Sequence, residues 1–178
     1  IAVGGQALDA NTTGGNNTAF GYDALGSNTT ANDNSAFGFQ TLYVNTTGTA
    51  NTAVGQRALF SNTTASNNTA VGYQASYYNT TGASNTALGY KANYACTTAD
   101  NITAVGYKAL EVNTASYNTA VGHVALASNT TGAYNVAFGN SALIYNTTAS
   151  NNTAVGYRSL YTNTTGTQNV AMGKDALY

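Results

Sequence analysis

Small apolar and polar residues alternate over short stretches of this chain, and these stretches recur at a fixed distance. Each contains a triplet of the Thr-Ala-Val type, as in Thr69-Ala70-Val71, and closes on a glycine. In a strand, the Thr and Val of such a triplet share one face and the Ala takes the other. The pattern therefore predicts many short strands, each ended by a glycine at which the chain turns.

The closing glycine marks a 17-residue repeat. It stands at Gly4, Gly21, Gly38, Gly55, Gly72, Gly89, Gly106, Gly122, Gly139, Gly156 and Gly173. The spacing is the same at every step except from Gly106 to Gly122, where one residue is missing. After each Asn-Thr-Thr, glycine and alanine alternate between repeats, as at Gly48 and Ala65, which indicates a double unit made of two repeats. A fixed period whose unit is too small to bury a core alone predicts a solenoid.

The residues of the repeat select the kind of solenoid. Thr, Val, Tyr, Asn and Gly dominate it, and they favour strands and turns over helices. We therefore predict an all-β fold, a parallel β-solenoid or β-roll with one coil per 17-residue repeat. About ten coils at the interstrand spacing give a rod about 48 Å long. No linker interrupts the repeat, so residues 1–178 are interpreted as a single repeat domain, a segment of a longer fibrous protein.

Two columns of stacked apolar side chains are predicted to form the core. The first holds the third residue of each triplet and the second holds the residue four positions after the glycine. The members taken as core are Val54, Val71, Leu88 and Val105 in the first column and Leu59 and Leu110 in the second. Ser76 and Asn93 interrupt the second column, which predicts a weaker or wetter core in those two coils.

An asparagine column lies seven residues after the glycine. In the first five coils it consists of Asn11, Asn28, Asn45, Asn62 and Asn79. Stacked amides can hydrogen-bond along the rod, as in cross-β ladders, so this column is predicted to form an asparagine ladder. Cys96 takes the position in the sixth coil and should break the ladder. Two interpretations of Cys96 stay open: a small residue tolerated at a turn, and a reactive thiol or interchain disulfide.

Two further columns are predicted to face outward and to contact partners. One is the alanine of each triplet, which includes Ala53, Ala70 and Ala87. The other follows the glycine and contains the aromatic residues Tyr22, Phe39, Tyr73, Tyr90, Tyr107 and Tyr157. Together they would form a long apolar stripe, which predicts a homotrimer or filament. The aromatic column by itself is interpreted either as a stacked ladder that stabilises the rod or packs between subunits, or as a platform for sugars or another surface.

Charge excludes several classes of partner. Charged residues make up 6% of the chain and the net charge is −1, so there is no electrostatic footprint for nucleic acid or an anionic membrane. No stretch approaches the roughly 18 consecutive apolar residues that indicate a transmembrane helix. We therefore predict neither nucleic-acid binding nor a membrane span.

Groups for catalysis are sparse. Six carboxylates are scattered over different positions of the repeat, and the single histidine, His123, takes a place where its counterparts are mostly tyrosine. No aspartate recurs with the period, as a calcium-binding repeat would require, and no phosphate-binding glycine motif is present. The sequence predicts no enzyme, no cofactor and no metal site.

The Asn-Thr-Thr tract suggests an alternative function. Thr12 and Thr13 are adjacent and would face opposite sides of a strand, so only Asn11 and Thr13 would share a face. Ice-binding solenoids commonly present two outward threonines per coil. A flat Asn-x-Thr face therefore keeps ice binding as an alternative.

The strand phrase resembles a known family of repeats. The phrases NNTAVGY at 67–73, SNTALGY at 84–90 and NITAVGY at 101–107 resemble the N-S-V-A-I-G phrase of YadA-type head repeats in trimeric autotransporter adhesins. Similar NTAVG-type arrays occur in phage tail fibres and bacterial surface proteins. The resemblance covers the six-residue core of every coil. It implies a left-handed parallel β-roll, three chains side by side and an adhesive extracellular role, and it aligns Thr69 and Val71 with inward positions and Ala70 with an outward one.

Taken together, these observations predict a non-enzymatic structural or adhesive segment of an extracellular fibre, at a cell or virion surface, that associates with itself. Two alternatives remain: an ice-binding solenoid that uses the Asn-x-Thr face, and a carbohydrate-binding adhesin head that uses the tyrosine column to bind host-surface glycans.

Overall fold

A computed structural model describes residues 1–178 as a stack of coils. Eleven short parallel strands follow one another in a single sheet, in the order of the chain. They are β1 (Ala2–Val3), β2 (Thr18–Phe20), β3 (Ser35–Phe37), β4 (Thr52–Val54), β5 (Thr69–Val71), β6 (Thr86–Leu88), β7 (Thr103–Val105), β8 (Thr119–Val121), β9 (Val136–Phe138), β10 (Thr153–Val155) and β11 (Val170–Met172). The chain forms no helix of the length and hydropathy needed to span a membrane. The predicted β-solenoid with about 17 residues per coil is confirmed.

Identical positions of the repeat pair with one another across the sheet. Between β4 and β5, threonine pairs with threonine, alanine with alanine and valine with valine. The repeat that is one residue short keeps this register, because Thr103 of β7 pairs with Thr119 of β8. The missing residue is therefore absorbed outside the strands. Stacking in register is what turns a sequence repeat into columns of side chains.

Hydrogen bonds between coils continue outside the strands. The amide of Gly72 donates to the carbonyl of Val54 at 2.8 Å in the sheet. On other sides of the coil, Leu59 donates to Ala75 at 3.0 Å and Thr63 donates to Thr80 at 3.0 Å. Backbone groups are thus paired around the whole coil, as burial of a narrow coil requires.

The turns of each coil use left-handed backbone conformations. The same three positions recur with positive φ, as at Arg57 (58°), Leu59 (50°) and Asn67 (62°). The glycine that closes each strand has φ between 116° and 142°. A Cβ at Gly55 would lie 2.7 Å from the carbonyl oxygen of Gly72, so only glycine fits where two coils approach this closely.

The core is lined by the alanine of each triplet and by the leucine column. Ala53 and Ala70 are fully buried, as are Leu59 and Leu110. A second set of buried alanines, which includes Ala58 and directly precedes the leucines, completes one continuous apolar cluster. The inward prediction for the leucine column is confirmed.

The prediction for the valine column is wrong, and so is the one for the alanine column. Val54, Val71 and Leu88 are exposed at 37%, 36% and 37%, and Val105 is half-buried on the same outer side. Ala53, Ala70 and Ala87 are fully buried and cannot form a surface stripe. The alternation within each triplet was predicted correctly, but its direction was inverted.

The width of the coil explains the inversion. The alanines beneath the strands and the leucine column pack in one contiguous apolar cluster, so the leucines already occupy the interior next to each strand. A valine in that place would overpack the core, whereas on the outer face it meets no constraint. Side-chain size therefore decides the direction of the alternation here, and it places the small residue inside.

Ser76 and Asn93 leave the leucine column polar in two adjacent coils, as the sequence predicted. Both are buried. The Asn93 amide donates to Ser76 Oγ over 3.4 Å, and Asn93 Oδ1 has no hydrogen-bond partner. The core is therefore locally less satisfied at this point of the rod.

Candidate functional site

The asparagine ladder is present in the interior. The Asn45 amide donates to Asn28 Oδ1 at 3.0 Å, and the Asn62 amide donates to Asn45 Oδ1 at 2.9 Å. Each amide also donates within its own coil, as Asn62 does to the carbonyl of Ala65 at 3.0 Å. The ladder begins at Asn11, which is partly buried, and runs through Asn28, Asn45 and Asn62 to Asn79, which are fully buried. These amides hold coils together and do not face a partner.

A second asparagine ladder was not predicted. It precedes most of the strands, as at Asn34, Asn51 and Asn68, and these side chains are buried. Ile102 takes the position before β7. The backbone amide of Asn51 donates to Asn34 Oδ1 at 3.0 Å, and the Asn51 side chain donates to the carbonyl of Ala65 at 2.8 Å. The recurrence of asparagine before most of the triplets is the sequence signal for this ladder.

Cys96 interrupts the first ladder. Its side chain is fully buried and burial raises the pKa of its thiol. Asn79 Oδ1, which would accept from an asparagine at this position, has no partner. The predicted break is confirmed, and burial excludes the interpretation of Cys96 as a reactive thiol or interchain disulfide in the folded coil.

The threonine tract does not form the Asn-x-Thr face required by the ice-binding alternative. The asparagine of each tract points inward, while the second threonine, as at Thr64, is exposed. The first threonine bonds along the rod, as when Thr63 Oγ1 donates to the carbonyl of Thr80 at 3.1 Å. Asparagine and threonine therefore lie on opposite sides of the wall, and that prediction is wrong.

The strands present an uncharged face to solvent, which we call the sheet outer face. It consists of the first and third residues of the triplets, mostly threonine and a larger apolar residue. Its most exposed apolar members are Val3, Phe20, Phe37, Val54, Val71, Leu88, Val136, Phe138, Val170 and Met172. No charged side chain interrupts these two columns from β1 to β11.

The aromatic column after the glycine forms stacks along the rod. The ring of Tyr90 lies between Tyr73 at 5.4 Å and Tyr107 at 5.2 Å, with interplanar angles of 11° and 9°. Tyr22 stacks on Phe39 at 5.9 Å, and His123 extends the longer stack beyond Tyr107 at 5.1 Å. Tyr90 and Tyr107, the inner rings of the longer stack, have both faces covered by neighbouring rings, so they offer no flat platform to a sugar ring. Their edges remain exposed.

A second aromatic column, five residues after the glycine, was not predicted. Phe60 stacks on Tyr43 at 5.4 Å and on Tyr77 at 5.0 Å, and Tyr77 stacks on Tyr94 at 5.6 Å. Burial, followed by a hydrogen bond with Tyr78, raises the pKa of Tyr94 to about 12. The column could have been found by aligning the chain on its repeat, starting from Tyr43.

Most of the basic side chains lie between the two aromatic columns. Arg57, Lys91, Lys108 and Arg158 all stand two residues after the glycine. The Lys91 ammonium lies 5.7 Å from the ring centre of Tyr90 and 4.7 Å from that of Tyr94. The Arg158 guanidinium lies 5.0 Å from Tyr157 and 5.1 Å from Tyr161. We call the two aromatic columns with these four cations the aromatic–cation strip.

Groups suited to catalysis do not converge. No cluster of three or more His, Cys, Asp or Glu side chains could hold a metal ion. His123 is exposed and its ring stacks on Tyr107. A hollow at the last coil, lined by Leu160, Asn163 and Leu177 among others, contains no titratable side chain. The two surfaces with continuous character are thus the sheet outer face and the aromatic–cation strip.

Comparison with protein-family models, with curated proteins and with solved structures found no match to this chain.

Proposed function

We propose that this chain is a non-enzymatic structural segment of an extracellular fibre, at a cell or virion surface, that associates with further copies of itself in an adhesive assembly. The observation that supports the proposal is the sheet outer face, which carries a column of apolar side chains and no charged side chain along the whole stack of strands. Contiguous exposed apolar surface of this length is typical of protein contacts rather than of a free surface.

The period of the rod favours a second copy as the partner. A parallel copy presents the same side chains at the same spacing of about 4.8 Å, so that coil can face coil along the entire length. A partner with a different period would lose this match after a few coils. The resemblance to trimeric adhesin repeats and phage tail fibres supports three copies arranged around a common axis.

The interior of the rod and the distribution of its reactive side chains are consistent with a structural role. The interior ladders and columns bond each coil to its neighbours, which suits a rod that carries load or spaces other parts. Side chains for acid–base or metal catalysis do not converge on any surface. We therefore assign the assembly through the sheet outer face, not a reaction, as the function of the segment.

The test is to place charge on the sheet outer face. In the double variant Val71→Arg and Val105→Arg, two arginines would stand on β5 and β7, where close packing of copies would bury them. We expect the unaltered chain to sediment as a trimer at micromolar concentration and this variant to sediment as a monomer, with an unchanged far-ultraviolet circular dichroism spectrum.

A matched control adds the same charge elsewhere. Thr64→Arg with Thr98→Arg also places two arginines two coils apart, at exposed positions on the threonine tract. This control should remain a trimer. A monomeric unaltered chain would refute the assembly, and a Val71→Arg, Val105→Arg variant that still assembled would assign it to another face.

A further inference from the structure

The charged residues are unevenly distributed along the chain, and the aromatic–cation strip contains basic side chains that form no ion pair. No carboxylate occurs between Asp33 and Asp100, whereas Arg57 and Lys91 both lie in that segment. The two ion pairs of the chain are Lys108–Glu111, at 3.0 Å, and Lys174–Asp175, at 3.7 Å. Arg57 and Lys91 therefore have no carboxylate partner in the protein.

The aromatic rings hold these two cations in place at the surface. The Arg57 guanidinium lies 5.7 Å from the ring centres of both Phe39 and Phe60, and its Nε donates to Gln40 Oε1 at 2.9 Å. Lys91 lies over Tyr90 and Tyr94. Both side chains are half-buried, so part of the conformational entropy that a bound anion would otherwise remove is already lost.

The spacing of the strip suits an extended polymer that lies along the rod. Arg57 and Lys91 are two coils apart, which corresponds to about 9.6 Å, and Lys108 follows one coil later, at about 4.8 Å. An extended chain of linked pyranoses rises by nearly one coil per sugar, and its carboxylates recur every one or two sugars. The exposed edges of Tyr73, Tyr90 and Tyr107 add phenol hydroxyls that can bond to sugar hydroxyls at the same period.

We propose that the aromatic–cation strip, from Arg57 to Lys108, binds a linear acidic polysaccharide along the rod axis, with Arg57 and Lys91 pairing its carboxylates. Nucleic acid fits less well, because single-stranded bases are usually held on exposed aromatic faces, and both faces of Phe60, Tyr77, Tyr90 and Tyr107 are covered by stacked rings. The site is separate from the sheet outer face and does not require the self-association proposed above.

The experiment measures binding of the chain to immobilised polygalacturonate and alginate at low ionic strength, with dextran as the neutral polysaccharide and oligo-dT as the competing polyanion. The unaltered chain should bind both acidic polysaccharides and not dextran, and binding should weaken as salt rises. The double variant Arg57→Gln and Lys91→Gln should bind at least tenfold more weakly.

A variant of equal net charge separates the site from overall charge. Thr64→Glu with Thr98→Glu lowers the net charge by the same two units on the opposite threonine tract, and it should bind within about twofold of the unaltered chain. The proposal is overturned if the unaltered chain does not bind the acidic polysaccharides or if both double variants lose binding equally. It is also overturned if oligo-dT binds as tightly as polygalacturonate.

Sedimentation of the same proteins keeps this result distinct from the proposed assembly. Arg57→Gln with Lys91→Gln should retain the oligomeric state of the unaltered chain. The monomeric Val71→Arg, Val105→Arg variant should still bind polygalacturonate. Its avidity should be lower than that of the trimeric Thr64→Arg, Thr98→Arg control of equal net charge, because fewer strips are joined.

Discussion

Asparagine side chains fill much of the interior that apolar side chains would fill in an ordinary domain. A buried amide is tolerated only when its donors and acceptor are bonded. In the first ladder Asn45 donates to Asn28 and to Gly48 of its own coil, and it accepts from Asn62. The requirement is met only because the same residue recurs in the coils on both sides. Repetition is therefore a chemical condition for this core.

Cys96 tests this dependence on neighbours. We expect Cys96→Asn to raise the free energy of unfolding by about 1 kcal/mol, because the new amide can donate to the unpartnered Asn79 Oδ1. Equilibrium denaturation in guanidinium measures the change. Cys96→Ala is the matched control, since it removes the thiol without supplying an amide, and it should give no gain. If the asparagine variant is no more stable than the alanine variant, the ladder does not contribute as proposed.

Whether a side chain faces the core or solvent was predictable from the sequence only where its size allowed one of the two. Leu59 and Leu110 had to be inside, because a rod whose leucine column faced solvent would have no large apolar side chains in its core. The triplet was ambiguous, since a three-residue strand alternates whichever way it faces. Only the width of the coil places Ala70 inside and Val71 outside, and coil width depends on left-handed residues such as Leu59, which no propensity favours in that conformation.

The coil, as an element, combines strained backbone with dense hydrogen bonding. Each left-handed non-glycine residue costs on the order of 1–2 kcal/mol, and three recur in every coil. Inter-coil hydrogen bonds offset this cost, as Leu59 donates to Ala75 at the left-handed position itself. An isolated coil would have the strain without the bonds, which explains why the element exists only in a stack.

The alternation of glycine and alanine after the threonine tract has a steric cause. A Cβ on Gly48 would overlap the carbonyl oxygen of Ala65 in the next coil and Oδ1 of Asn45 in its own coil. The same overlap with the next alanine recurs at Gly14, Gly82 and Gly132. The double unit of two repeats therefore reflects two coil geometries that fit one another in turn.

Gly48→Ala should consequently destabilise the rod by about 1–3 kcal/mol, as overpacking of a filled interior does. The reciprocal change Ala65→Gly removes a methyl group without creating an overlap, and it should cost only about 0.5–1 kcal/mol. Thermal and guanidinium unfolding of the two variants give the comparison. Equal losses would mean that the alternation is not steric.

At the scale of the whole molecule, the columns divide into those that join coils and those that face solvent. The fold was predictable because the period alone specifies stacking, and stacking brings identical residues such as the asparagines within bonding distance of their copies. Of the aromatic–cation strip, the first aromatic column was predicted from the sequence, but the second column and its contacts with the cations were not. Its first column stands beside the glycine, but the contact of Lys91 with Tyr94 depends on how the chain bends between them, which periodicity does not specify.

A rod of this kind should behave as a sum of coils and of contacts between adjacent coils, so that whole units can be removed. Deleting residues 52–85 takes out one double unit, joins Asn51 to Thr86 and keeps glycine and alanine in alternation. We expect the shortened chain to fold with a similar circular dichroism spectrum. The slope of its unfolding free energy against denaturant concentration should be lower by about a fifth, because less surface is buried.

Deleting residues 52–77 instead shifts every column by half a coil. This second deletion should not fold cooperatively, because asparagines would then face leucines and glycine corners would meet residues with a Cβ. If it folded as well as the first, the columns would not determine the register, and the stacking of like on like would have to be attributed to the backbone alone.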